Sequence, residues 1–119
     1  MREMDLEVVY VTASFIFAKG ENEMLENTFK TDLIDELENM FPGCMVFHLD
    51  PSECQGIPDL IVLYKDKWAA LEGKKSARAR LRPNQDYYVN LMNEMSFASF
   101  IFPENKDYVL ERLHLYFEG

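Results

Sequence analysis

Between Glu23 and Met40 the apolar residues Leu25, Phe29, Leu33, Leu37 and Met40, joined by Met24 and Ile34, recur in steps of three and four, with acidic residues between them. That spacing stacks the apolar side chains on one face and predicts a helix over 23–40. Pro42 and Gly43 end it. Upstream, the stretch from Val8 to Phe17 is rich in Val, Tyr, Thr, Phe and Ile and is expected to be an extended segment, one strand or two short ones, before a break at Lys19-Gly20-Glu21-Asn22. Downstream, Cys44 to Leu49 reads as a strand and Asp50 to Gly56 as a polar loop. Ile57 to Tyr64 and Lys67 to Glu72 then form a hairpin pattern around a short Lys65-Asp66 turn.

After a basic loop, Pro83 is expected to open a helix running to about Met95, with Tyr87, Leu91 and Met95 one turn apart and Tyr88 and Met92 alongside. On this helix Tyr87 is assigned to the core and Tyr88 to the surface. Ser96 to Phe102 reads as a further strand, and Glu104 to Phe117 as a closing helix with Tyr108, Leu110, Leu113 and Phe117 inward. After the N-terminal segment the order is helix, three strands, helix, strand, helix, which is an α/β layout with a mixed central sheet flanked by helices. No repeat, low-complexity tract or linker interrupts the chain, so residues 1–119 are expected to form one domain, with 1–22 an N-terminal strand extension.

Composition narrows the function classes. At 119 residues with 48% hydrophobic residues, the chain can bury a core without disulfides or a structural metal. Cys44 and Cys54 form no CxxC pattern, and with His48 and His114 as the only histidines no zinc module is available. The apolar run from Val8 to Ala18 is far shorter than the roughly 20 residues of a membrane helix, and acidic Glu3, Asp5 and Glu7 do not suit a signal peptide. A cytoplasmic location with no membrane contact is the expectation.

The net charge of -9 argues at first against a nucleic-acid partner, but its distribution changes the picture. Lys74, Lys75, Arg78, Arg80 and Arg82 fall in the segment from Gly73 to Gln85, which has no acidic residue and carries +5, leaving -14 on the rest. One basic stripe on an acidic body is suited to phosphate. The bland alternative is a solvated loop that merely complements the acidic body.

A two-residue hairpin turn at Lys65-Asp66 pairs Tyr64 with Lys67 and puts Asp59 opposite Glu72, whereas a three-residue turn would stagger the two acids. Side chains alternate along a strand, so Lys74 shares the face of Glu72 and three ionisable groups converge. Opposed carboxylates repel unless a cation lies between them or water bathes them, and hard oxygen ligands suit Mg²⁺ or Mn²⁺ rather than zinc. The competing reading makes both acids solvated strand-end residues. Asp50 and Glu53 lie in the loop before the pair, where acids are usually solvated, and His48, Trp68 and Cys54 read as structural residues.

Gly56-Ile57-Pro58-Asp59, twelve intervening residues and then Glu72-Gly73-Lys74 resemble the signature of the PD-(D/E)XK nuclease superfamily. Within it the chain looks most like the virus-type replication-repair nuclease (VRR-NUC) domain and the related Holliday junction resolvases, which share a GxPDL strand, an ExK strand, a basic loop and a glutamine opening the next helix, here Gln85 in Arg82-Pro83-Asn84-Gln85. The resemblance covers about 23–103 and implies a restriction-endonuclease-like αβββαβ core. It implies that Asp59 and Glu72 bind Mg²⁺ or Mn²⁺ together with the Gly73 backbone carbonyl, that Lys74 orients or activates the attacking water, and that Gln85 helps to position the phosphate. It also implies a metal-facing glutamate on the first helix, for which Glu26 is chosen over Glu23 and Glu36. Lys75, Arg78, Arg80 and Arg82 would grip the nucleic-acid backbone. Gly73 departs from the pattern, since a bulky or β-branched residue is usual there.

The function expected on this basis is metal-dependent endonuclease activity on DNA, duplex or branched, of the kind encoded by phages or used in replication, recombination or repair. Cutting two strands with one small active site favours a homodimer, with Val8 to Phe17 as the candidate interface. RNA or single strands remain open as substrates. The alternative class is a non-catalytic protein on a nuclease fold, whose acidic body binds a basic partner or mimics DNA.

Overall fold

A computed structural model describes residues 15–119. Its order is α1 (Phe15–Met40), β1 (Met45–His48), β2 (Leu60–Tyr64), β3 (Lys67–Gly73), α2 (Gln85–Met95), β4 (Phe97–Ile101) and α3 (Lys106–Glu118). The strands form one four-stranded sheet in the order β1-β2-β3-β4. β1, β2 and β3 are successively antiparallel, while β4 pairs parallel to β3, with α2 as the crossover that a parallel connection requires. The protein is therefore α/β with a mixed sheet and three helices among the described residues.

The hairpin has the two-residue turn. Tyr64 pairs with Lys67 and Leu60 with Leu71, and Lys65 takes the left-handed conformation the tight turn demands. Extending the register by one residue puts Asp59 opposite Glu72, the arrangement on which the candidate site depends. Neighbouring pairings continue past the strands: the Leu49 amide donates to the Asp59 carbonyl at 2.8 Å, and the Lys74 amide to the Ile101 carbonyl at 2.8 Å. Asp59 and Lys74 are thus held by backbone bonds at one end of the sheet.

Strand alternation divides the sheet into two faces. Leu60, Val62, Tyr64, Ala69, Leu71 and Ile101 face Leu33, Leu37 and Phe41 from α1 and Val109, Leu110, Leu113 and Phe117 from α3. Phe41, Tyr64 and Phe117 close this core as an aromatic cluster, Phe41 and Phe117 meeting edge to face with centroids 5.0 Å apart. On the other face Ala70 and Ala98 leave room for Val89 of α2, with Trp68, Met92 and Phe100 packed around them. Alanine on two adjacent strands lets the crossover helix lie close to the sheet end where the charged residues gather.

Several expectations are corrected. Phe15, Ile16 and Phe17, and the supposed break at 19–22, belong to α1 rather than to a strand and a turn. Ala18, Lys19, Glu21 and Glu23 favour helix, and a lone Gly20 costs a helix only about 1 kcal/mol. The rest of the proposed N-terminal strand, 8–14, lies outside the described residues. α2 begins at Gln85, not Pro83, because Asn84 is left-handed. Its inward positions are Gln85 and Val89 with half-buried Met92, so Tyr87 and Met95 are 61% and 65% exposed and it is Tyr88 that is half-buried. On α3 the buried set is Val109, Leu110, Leu113 and Phe117, leaving Tyr108 on the surface. Met24 is likewise exposed on α1. No helix of the described residues is long and apolar enough to cross a membrane.

Leu37 is fully buried where α1 meets the sheet. Leu37→Ala is expected to cost about 2–5 kcal/mol, through lost apolar burial and the cavity left behind, measured as a shift in urea midpoint at constant slope.

Candidate functional site

The site stands at the sheet end where β2 begins and β3 finishes. Here the hairpin ladder continues through side chains. The Asp59 amide donates to Glu72 Oε1 at 3.1 Å, and the Gly73 amide donates to Asp59 Oδ1 at 3.3 Å. Each carboxylate therefore satisfies the backbone of the opposite strand, which fixes both acids side by side at the end of a hydrophobic hairpin. Glu72 is only 2% exposed. Burial, and next the Asp59 charge, disfavour its ionised form, while Lys74 and Lys30 pull the other way; its pKa is raised from 4.5 to about 7.

Lys74, the third predicted residue, is 4% exposed and so also leaves water. Its ammonium donates to Gln85 Oε1 at 2.8 Å and to the Arg80 carbonyl at 3.4 Å, and lies 3.7 Å from Glu72 Oε2. Gln85 Oε1 accepts a second bond from the Arg82 amide at 2.8 Å. The glutamine thus closes the Arg82-Pro83-Asn84 turn and holds Lys74 with the same oxygen. Gly56 makes this arrangement possible from the other side: at φ +101° it lies against the turn, and a Cβ there would come within 2.6 Å of Asn84 Cβ and 2.7 Å of the Pro83 carbonyl oxygen.

Lys30 of α1 is a member of the site that the sequence reading missed. Its Nζ pairs with Asp59 Oδ2 and lies 3.2 Å from Glu26 Oε2, so Glu26 is linked to Asp59 through this lysine. Burial alone would lower the Lys30 pKa, but the Asp59 and Glu26 carboxylates outweigh it and the pKa stands above the ordinary lysine value. Nothing in the sequence singles Lys30 out from the solvated face expected of an acidic helix; its packing over residue 73 does. Glu36, the alternative acid on α1, turns elsewhere and pairs with Lys106 at 2.9 Å. Glu23 lies where side chains are outside the described set.

The basic stripe forms the loop between β3 and α2. Arg78, Arg80 and Arg82 are exposed and Lys75 is half-buried. The Ala77 amide donates to Glu104 at 3.2 Å, the Arg78 amide to Ser76 Oγ at 3.2 Å, and the Arg80 carbonyl accepts from Lys74, so the loop is tied down beside the acids. The nearby loop acids Asp50 and Glu53 are exposed, as is His48. A surface groove lined by Phe97, Ser99, Tyr108 and Arg112 shares no residue with this cluster.

Among the described residues no three His, Cys, Asp or Glu side chains are grouped to hold a metal ion. The donor chemistry at Asp59 and Glu72 nevertheless suits a hard divalent cation: two apposed carboxylates, one of them buried and reluctant to ionise without added positive charge. On the Asp59 side of the pair the Lys30 ammonium stands between Asp59 and Glu26.

The chain matches no protein-family model, no curated protein and no solved structure.

Two measurements test this geometry. Gln85→Ala is expected to lower stability by about 2–3 kcal/mol, because it strips an acceptor from the buried Lys74 ammonium and opens the turn. The Glu72 carboxyl carbon, followed by NMR, is expected to titrate near pH 7 rather than 4.5. The folded state then binds a proton that the unfolded state has lost between those values, so the contribution of Glu72 to stability declines as pH rises from 4.5 through 7.

Proposed function

We propose that this protein is a metal-dependent DNA endonuclease, a phosphodiester hydrolase of the PD-(D/E)XK type acting on duplex or branched DNA. The observation that carries the reading is the reciprocal bonding of Asp59 and Glu72, with Lys74 fixed beside them by Gln85 and a basic loop at their edge. That is the residue set the GxPD, ExK and glutamine motifs imply. The αβββαβα order and parallel β3–β4 pairing suit the corresponding core.

Asp59, Glu72 and the Gly73 carbonyl would hold the divalent ion, with Glu26 on the far side of Lys30. When bound, Mg²⁺ or Mn²⁺ supplies the Lewis acidity that makes hydroxide available near neutral pH. Lys74 presents a fixed positive charge toward the phosphate, offsetting the charge that develops as the phosphodiester is attacked. Its three restraints, Gln85, the Arg80 carbonyl and Glu72, keep that charge in place without reorganisation. Gln85 acts through Lys74 as a positioning residue. Exposed Arg78, Arg80 and Arg82, with Lys75, hold the backbone of the nucleic acid without reading its sequence. Cutting both strands of a junction calls for two such sites, and a homodimer supplies them.

The reading is tested with labelled four-way junction, flap, duplex and single-stranded DNA and a matching RNA, each with Mg²⁺ or Mn²⁺. Metal-dependent cleavage is expected, reduced on the order of a hundredfold or more in Asp59→Ala and in Lys74→Ala. Changing Arg78, Arg80 and Arg82 together to Ala should weaken binding and flatten its salt dependence. Intact substrates with folded protein and either ion would overturn the nuclease reading in favour of a binding role for the acidic body.

A further inference from the structure

The glycine of Glu72-Gly73-Lys74 is where the chain departs from its motif, and the structure supplies a physical reason. Gly73 follows Leu71 on the face of β3 that α1 covers, and the Lys30 stem lies across it. A Cβ on residue 73 would come within 2.9 Å of Lys30 Cγ, 3.2 Å of Cε and 3.5 Å of Cδ. The tightest approach is to Cγ, near the root of the side chain, so a larger residue would move the whole stem rather than deflect its tip. The stem is directed over the end of β3 to place its ammonium on Asp59 and Glu26, and its side chain is only 14% exposed.

We infer that Lys30 is a built-in cation that occupies part of the metal position, so that a divalent ion binds Asp59 in competition with its ammonium, and that Gly73 is the opening through which it reaches the site. The inference rests on the metal-binding reading of Asp59 and Glu72. The charge balance favours competition: Lys30 and Lys74 oppose Glu26, Asp59 and Glu72 in a small, largely dry volume. A divalent ion beside an undisplaced ammonium would put two cations on one Asp59 carboxylate, and like charges a few ångströms apart repel strongly where water is scarce. Before the ion arrives, Lys30 keeps the neighbouring acids from driving the hairpin end apart.

The discriminating experiment is calorimetric titration of the folded protein with Mn²⁺, without nucleic acid. Lys30→Met keeps the stem over Gly73 and removes the charge, and it is expected to tighten Mn²⁺ binding tenfold or more. Lys30→Arg keeps the charge and should stay within about threefold of the unaltered protein. A lysine with only a structural role would loosen the site or leave it alone when replaced, not tighten it. Gly73→Ala provides a second route, since its Cβ displaces the stem while retaining the residue 73 carbonyl; it should tighten binding in the presence of Lys30 and add nothing in Lys30→Ala. Binding by the Lys30→Met protein alone would support the inference in its strongest form. Equal affinities for unaltered and Lys30→Met proteins, with binding abolished in Asp59→Ala, would overturn it and leave the metal reading standing. Absence of Mn²⁺ binding in all variants, with folding verified by circular dichroism, would remove the metal reading and this inference together.

Discussion

The crossed bonds between Asp59 and Glu72 are the constraint around which the rest of the site is arranged. Two carboxylates are forced together because each completes the hydrogen bonding of the opposite strand. Their repulsion then has to be answered locally. Lys74 answers it on the Glu72 side and Lys30 on the Asp59 side, the first standing just past the end of β3 and the second on α1. Lys74 is held by the start of α2 through Gln85, while Lys30 comes directly from α1. The sheet contributes the acids and the two helices contribute, or secure, the bases.

Two glycines make that delivery sterically possible, and they do so differently. Gly56 needs its positive φ as well as its missing side chain, because the loop before β2 runs against Pro83 and Asn84. Gly73 has no unusual backbone requirement; what matters is the empty space above it, filled by the Lys30 stem. The same residue type therefore joins the acidic hairpin to α2 at one point and to α1 at another. Either substitution would separate acid from base before it disturbed the hydrophobic core.

Much of this was legible in the sequence because it depended on local spacing. The apolar steps from Leu25 to Met40 gave away most of α1, and a two-residue turn at Lys65-Asp66 was enough to place Asp59 against Glu72. Alternation put Lys74 with them, and the Arg82-Pro83-Asn84-Gln85 motif pointed to Gln85. Lys30 was not legible, since a lysine inside an acidic helix ordinarily belongs to its solvated face, and only packing over residue 73 shows otherwise. The orientation of α2 failed for a related reason. Tyr87, Leu91 and Met95 have the right spacing for a core face, but the contacts of Gln85 and the small residues Ala70 and Ala98 turn Val89 inward instead. Tyr108 was misplaced because the true buried stripe of α3 begins one residue later, at Val109. The upstream end of α1 was obscured by β-branched and aromatic composition, which describes preference and not the helix those residues extend.

The Lys65-Asp66 turn also has a consequence for how the molecule assembles. Closing so short a hairpin costs little chain entropy, so local contacts alone are enough to bring the two acids together. Their neutralising contacts are less local, since Lys30 comes from a helix some thirty residues upstream and Lys74 is secured by Gln85 at the start of the crossover. Without those contacts the hairpin end keeps its carboxylates in water, where their repulsion is weak. Packing of α1 and α2 removes that water as it buries apolar surface, so the charge pairing becomes necessary just where the core closes.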